Sequence, residues 1–230
     1  MNLSDQRQYI DTSKNPAAFN MALDEALMEA APQISQPILR FYGWTEPAAS
    51  FGYFQNYAEV KRLTALRPLV RRPTGGGIVP HDADWTYSLV WPAHHSWHSL
   101  SAIESYRRVH EWIQAAFARL GVVTELAPHP VKTSPGQCFA GFERFDLLWR
   151  GRKIAGAAQR RTRHVLLIQG SVQSPSISIS RADWQQAMLR SAELGERVRW
   201  TEFRIDQVLS GRVRELEQRK YSQSAYNEKR

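Results

Sequence analysis

The sequence predicts an α+β fold, a mixed β-sheet with helices packed on it. Three observations lead there. Short runs rich in aromatic and β-branched residues stand at 38–42, 48–54, 69–72 and 85–91, which is how strands read in sequence. Apolar residues recur at helical spacing both before and after those runs. The 230 residues, 43% hydrophobic and 23% charged, show no repeat, linker or low-complexity block. A single domain over 1–230, with a small helical appendage, fits that length.

From the N-terminus, the first helix is expected to begin at Asn15-Pro16, because proline is favoured at the first helical position. Phe19, Leu23, Ala26, Leu27 and Ala30 make its apolar face. The four strand runs follow. The next helix is the best signalled. Ser101 and Glu104 form a capping-box pattern, and Ile103, Tyr106, Val109, Ile113, Phe117 and Leu120 make one apolar face. Gly121 marks the stop. After a run at 122–126, the polar, proline-bearing stretch 127–141 reads as a loop, and it contains Cys138. Strand runs at 145–149 and 165–172 bracket Gly151-Arg152-Lys153-Ile154-Ala155-Gly156. From Ala182 onward the chain reads as helices ending in a charged, frayed terminus.

Composition excludes several classes. Residues 1–10 are polar and lack the apolar core of a secretory signal. No run nears the roughly 20 apolar residues of a membrane span. A soluble, cytoplasmic protein without a membrane partner is expected. Cys138 is the single cysteine, so no intramolecular disulfide can form, in keeping with a reducing compartment. The net charge of +8 favours acidic partners. Nucleic acid is not expected among them, because the basic residues are scattered and no nucleic-acid motif is present. His94, His95 and His98 lie close together, but no fourth ligand has suitable spacing, so no metal site is expected.

Three stretches carry candidate chemistry. In Arg71-Arg72-Pro73-Thr74-Gly75-Gly76-Gly77-Ile78-Val79-Pro80-His81-Asp82, three glycines after a strand let backbone N–H groups approach an anion or carbonyl oxygen. The arginines would add charge-assisted donors. The plain alternative is a tight turn with arginines in solvent. In Gly151-Arg152-Lys153-Ile154-Ala155-Gly156, small residues around Lys153 leave room for a carbonyl or phosphate beside its ammonium. The alternative is an exposed hairpin lysine. In Ser134-Pro135-Gly136-Gln137-Cys138-Phe139, a thiol in a Gly/Pro loop is reachable, and nearby cations would raise its thiolate fraction. A buried, inert thiol is the alternative.

Together with the patterns at 15–29 and Lys220-Tyr221-Ser222, these stretches, in this order and spacing, resemble the lipoate-protein ligase A and octanoyltransferase family, related to the biotin protein ligases. The resemblance covers roughly 15–221 and is strongest at 15–25, 71–81 and 153–161. It implies a biotin/lipoate protein ligase catalytic-domain fold. Arg71, Arg72, Gly75, Gly76, Gly77 and His81 match the glycine-rich motif that lines the acyl or acyl-adenylate pocket. Lys153, with Gly156 beside it, matches the family lysine that contacts the acyl carbonyl or the adenylate phosphate. Cys138 stands where the cysteine-dependent octanoyltransferases carry their nucleophile. Gln169-Gly170 departs from the pattern, since many relatives have a histidine before that glycine.

Two activities are compatible with the resemblance. In the first, Cys138 takes octanoyl or lipoyl from acyl carrier protein or an acylated protein and passes it to a lysine of a lipoyl-domain protein or the glycine-cleavage H protein. A thioester is already activated, so this route needs no cofactor. In the second, an ATP-dependent ligase acts through lipoyl-AMP with ATP and Mg²⁺, and Cys138 is incidental. The cysteine, and the lack of room in 230 residues for the accessory domain of larger lipoate ligases, favour the first. A non-catalytic basic binding module is the remaining reading.

Overall fold

The computed structural model describes residues 5–131, 141–173 and 178–229. In chain order its elements are β1 (Gln6–Asn15), α1 (Ala17–Ala30), β2 (Ile38–Trp44), β3 (Ala48–Phe51), α2 (Tyr57–Leu63), β4 (Leu69–Arg71), β5 (Val79–His81) and β6 (Trp85–Pro92). Then come α3 (Ser96–Ser99), α4 (Ala102–Arg119), β7 (Glu125–Leu126), β8 (Leu147–Trp149), β9 (Arg152–Arg161) and β10 (Val165–Val172). The chain continues through α5 (Arg181–Gly195), β11 (Arg199–Glu202), α6 (Gln207–Leu216), a π-helical turn (Glu217–Tyr221) and α7 (Ser224–Asn227).

The expected mixed sheet is present, eight strands in the order β11-β1-β2-β6-β10-β9-β8-β7. β1 runs parallel to β11 and β2, and the other neighbours are antiparallel. A smaller sheet, β4-β3-β5, pairs β3 parallel with β4 and antiparallel with β5.

Successive side chains of a strand point to opposite faces, and here the faces feed two cores. Leu39, Phe41, Leu89, Trp91, Leu166 and Ile168 pack with Val109, Ile113 and Phe117 of α4 and Trp184 and Met188 of α5. Ile38, Tyr42, Val90, Val165 and Leu167 pack with Met21, Leu23 and Leu27 of α1 and Leu209, Val213 and Leu216 of α6. Helices cover both faces, so the central strands carry near-continuous apolar runs. That is why they were legible as short blocks.

α4 keeps both expected ends. Ser101 Oγ accepts from the Glu104 N–H at 3.2 Å, and Gly121 takes φ +76° past the last turn, where a Cβ would be strained. Several expectations need correction. Ile103, expected on the apolar face, is 55% exposed; the buried stripe of α4 consists of Val109, Trp112, Ile113, Ala116 and Phe117. The run at 48–54 stops being strand at Phe51 because the chain turns at Gly52, where a Cβ would stand 2.0 Å from the Gly76 carbonyl oxygen. The run at 122–126 yields only β7, with Val123 exposed. Lys153 sits within β9 itself rather than between two strands.

The tail is also corrected. It contains β11, whose four residues pair with β1. Its end is packed rather than frayed: Lys220 Nζ lies 2.6 Å from Glu25 Oε2, and buried Tyr221 donates its hydroxyl to the same carboxylate at 2.7 Å. Among the described residues, no helix is long and apolar enough to cross a membrane.

Candidate active site

A cleft opens where the large sheet meets the small one. Its buried depth is walled by Met21, Tyr42 and Trp44, and exposed Gly76 stands at its rim. β9 and β10 run side by side along one wall, with Gly156 opposite Ser171, Ala157 opposite Gly170 and Ala158 opposite Gln169. Small side chains in these registers leave the wall recessed.

The glycine-rich motif is the loop between β4 and β5, and Arg72 shapes it. Its guanidinium is buried and donates to the carbonyls of Gly75 (2.7 Å) and Gly77 (2.9 Å), and to Ser50 Oγ (2.9 Å). Two captured carbonyls curl the loop around Gly76, whose φ of +87° only glycine adopts without cost. Thr74 Oγ1 donates to Gln169 Oε1 at 2.7 Å, pinning the loop to β10. The Gln169 amide nitrogen in turn donates to Asp24 Oδ2 at 2.7 Å. Asp24 is paired with Arg40 (2.7 Å), and both are fully buried.

Arg71 does not line the cleft. Its side chain turns to the carbonyls of Tyr53 and Gln55, both at 2.8 Å, and to that of Asn227 at 2.9 Å, with its guanidinium 4.7 Å from the Phe51 ring centroid. It joins the loop after β3 to α7.

His81, at the end of β5, does line the cleft. Its Nδ1 donates to Asp84 Oδ2 at 2.8 Å, so Nε2 accepts from the Ser50 hydroxyl at 2.7 Å. The tautomer follows from the carboxylate, which accepts. The ring stacks on Trp44 with centroids 3.8 Å apart. His81 is therefore locked in orientation.

Lys153 projects from β9 into the cleft wall, 8% exposed, with Nζ 2.7 Å from Asp146 Oδ2. It crosses directly over Gly156, where a Cβ would stand 2.7 Å from Cε and 2.8 Å from Nζ. Fully buried Asp146 also accepts from the Glu143 N–H at 2.7 Å and from the Tyr106 hydroxyl. A partly desolvated ammonium held beside an apolar cleft can donate to an oxyanion or a carbonyl more strongly than it would in water.

The structure thus brings Arg72, Gly76, His81, Lys153 and Gly156 to one cleft. Gly75 and Gly77 shape it through their carbonyls, and Arg71 stands behind it. Cys138 lies outside the described residues. His94, His95 and His98 turn to three different partners, the Ser35 carbonyl, Asp5 and the Thr162 carbonyl. Among the described residues, no group of three or more His, Cys, Asp and Glu is placed to hold a metal ion. Sequence reasoning missed Met21, Trp44, Ser50, Thr86 and Ser171 as lining residues. Ala157 and Ala158 could have been found from the small-residue run after Lys153. Trp44 and Ser50 carry no local signal, since distant pairing places them.

The family model for the lipoyl protein ligase A/B catalytic domain matches residues 16–178. The chain belongs to this family. Octanoyltransferase LipM of Geobacillus kaustophilus and of Bacillus subtilis are each 36% identical over 178 residues, covering 72% of this chain and 64% of the relative. Octanoyltransferase LipM of Carboxydothermus hydrogenoformans is 38% identical over 172 residues, with the same shares covered. The chain therefore spans just under two thirds of the length of these relatives. A solved lipoate-protein ligase A bound with ATP matches with TM-score 0.79 at 21% identity, covering 97% of this chain and 98% of that one. A bi-partite lipoate protein ligase from Thermoplasma acidophilum, from a structural study that includes its E2 lipoyl domain, matches with TM-score 0.72 at 20% identity, covering 98% and 97%. These likenesses establish the lipoate-ligase fold that the sequence resemblance implies.

Proposed function

We propose that this lipoyl protein ligase A/B catalytic domain, with its C-terminal helices, transfers an octanoyl or lipoyl group to a lysine of a lipoyl-domain protein. The transfer runs through a thioester on Cys138. The observation that carries this reading is the 36% identity to octanoyltransferases across 178 residues. The recessed cleft with Lys153 in its wall supports it.

The chemistry divides one transfer into two. The Cys138 thiolate attacks the acyl thioester on the phosphopantetheine arm of acyl carrier protein, or an acylated protein. From acyl carrier protein the carrier sulfur leaves and is protonated; from an acylated protein the C–N bond breaks and the lysine nitrogen leaves with a proton. In either case the acyl group now rests on Cys138. The neutral amine of the acceptor lysine, on a lipoyl domain or the glycine-cleavage H protein, attacks that carbonyl. An amide forms, the amine loses its proton, and the Cys138 thiol is restored. Each step passes through a tetrahedral oxyanion, and Lys153 donates to it, a role worth about 3–4 kcal/mol per donor. Gly156 gives the lysine its passage, Arg72 holds the loop around Gly76, and His81 closes the inner end beside Trp44. Arg71, Gly75 and Gly77 act at one remove by shaping that loop. The acyl donor is already activated, so ATP and Mg²⁺ are not required. A net charge of +8 speeds encounter with acidic carrier and acceptor proteins, most at low salt.

Intact-protein mass spectrometry after incubation with octanoyl-acyl carrier protein, without ATP, tests the reading. An octanoyl adduct that hydroxylamine removes, absent in Cys138→Ser, is the expected result. No adduct, with lipoyl transfer appearing only when ATP, Mg²⁺ and lipoate are supplied, would replace it with ligation through lipoyl-AMP.

A further inference from the structure

Behind Lys153, on the side away from the cleft, lies a group of buried polar side chains that the transfer chemistry does not itself use. Tyr106 and His110 come from one face of α4 and Tyr87 comes from β6. Tyr87 and His110 are buried and Tyr106 is half-buried around Asp146. The Tyr106 hydroxyl donates to Asp146 Oδ1, while Oδ2 of the same carboxylate meets Lys153 Nζ at 2.7 Å and the Glu143 N–H at 2.7 Å. The His110 ring packs on Tyr106 with centroids 4.3 Å apart, and its Nδ1 lies 2.9 Å from the Tyr106 carbonyl.

We propose that Tyr106 is a positioning residue for Lys153: by holding one oxygen of Asp146, it turns the other toward the lysine and fixes where the ammonium stands in the cleft wall. A carboxylate on a short side chain can rotate. Two tethers on different oxygens remove that freedom, the backbone N–H of Glu143 on Oδ2 and the Tyr106 hydroxyl on Oδ1. The neighbours are arranged to leave this geometry undisturbed. Burial holds Tyr106 and Tyr87 well above the usual phenol range, so both stay neutral. Burial also lowers His110 to about 4, so it adds no second cation behind Asp146 near neutral pH. The Tyr87 hydroxyl has no hydrogen-bond partner among the described residues and serves as an internal control. The proposal rests on the reading above that Lys153 acts on the acyl group.

Competitive acetylation of the whole protein with acetic anhydride, quantified by peptide mass spectrometry, reads the environment of Lys153 directly, with exposed Lys61 as the reference. In Tyr106→Phe, which removes only the hydroxyl, Lys153 labelling relative to Lys61 should change at least threefold, while Tyr87→Phe should leave it as in the wild type. Asp146→Asn should shift it in the same direction as Tyr106→Phe. In octanoyl transfer, Tyr106→Phe should lower kcat about tenfold or more, with KM for the donor within twofold. A purely structural tyrosine would lower the melting temperature and leave relative labelling unchanged, and that result overturns the proposal. If the wild type transfers no octanoyl group while labelling still responds to Tyr106→Phe, the proposed function fails and the positioning role stands.

Discussion

Replacing Gly156 by alanine places a methyl carbon 2.7 Å from Cε and 2.8 Å from Nζ of Lys153, and 3.2 Å from Oδ1 of Asp146. Ordinary carbon contacts lie near 3.5–4.0 Å, so the lysine end must retreat by about 1 Å. The atoms in the way are the tip of a flexible side chain, which can move without disturbing the strand. Alanine also stiffens the unfolded chain, which favours folding by about 0.4–1 kcal/mol where the backbone tolerates it. Stability should therefore stay within about 1 kcal/mol of the wild type. Catalysis should not escape so lightly. A 1 Å misplacement of a catalytic group costs on the order of a hundredfold, or ~2.7 kcal/mol at the barrier. The assay is single-turnover octanoyl transfer beside a thermal melt. A variant that melts like the wild type and transfers a hundredfold more slowly fits the argument. A wild-type single-turnover rate in Gly156→Ala would refute the claim that the position of Lys153 matters.

Gly170→Ala should behave in the opposite way: its methyl would stand 2.2 Å from Cζ and the hydroxyl oxygen of Tyr87, a fully buried ring that cannot retreat. A loss of about 1–3 kcal/mol or more is expected from urea unfolding. Thr74→Val leaves Gln169 Oε1 without its donor; a loss of about 1–3 kcal/mol and a higher KM for the acyl donor are expected from melts and steady-state kinetics. Arg40→Leu strands the buried carboxylate of Asp24, and removing one partner of such a pair costs about 3–5 kcal/mol, again read from urea unfolding. For pH dependence, burial lowers His110 from 6.5 to about 4 in the folded protein. Between those values the unfolded chain binds more protons, so stability is full above about 6.5 and falls as pH drops toward 4, by up to roughly 3 kcal/mol. Urea midpoints at pH 7 and pH 5 should show that fall, and His110→Gln should flatten it.

Local physics wrote much of this fold into the sequence. Proline before α1, the Ser101 cap and Gly121 stop of α4, and the apolar blocks of β2, β6 and β10 each depend on a few adjacent residues. The motif order around the three glycines and Lys153 was enough to mark the family. Tertiary structure decided the rest, because its causes lie far apart in the chain. β1 is too polar to announce itself and exists through pairing with β2 and with β11, nearly two hundred residues away. Arg71 and Arg72 are adjacent and alike in sequence. Pairing of β3 with β4 sends one to α7 and the other to the cleft. Trp44 and Ser50 meet His81 only because two sheets come together. The sequence by itself determined α1, α4 and the central apolar strands, and to which family the chain belongs, since propensity, capping and motif order are local. Which side chains face the cleft, and how Lys153 is held there, was decided by strand register and by Asp146 and Tyr106 arriving from other elements.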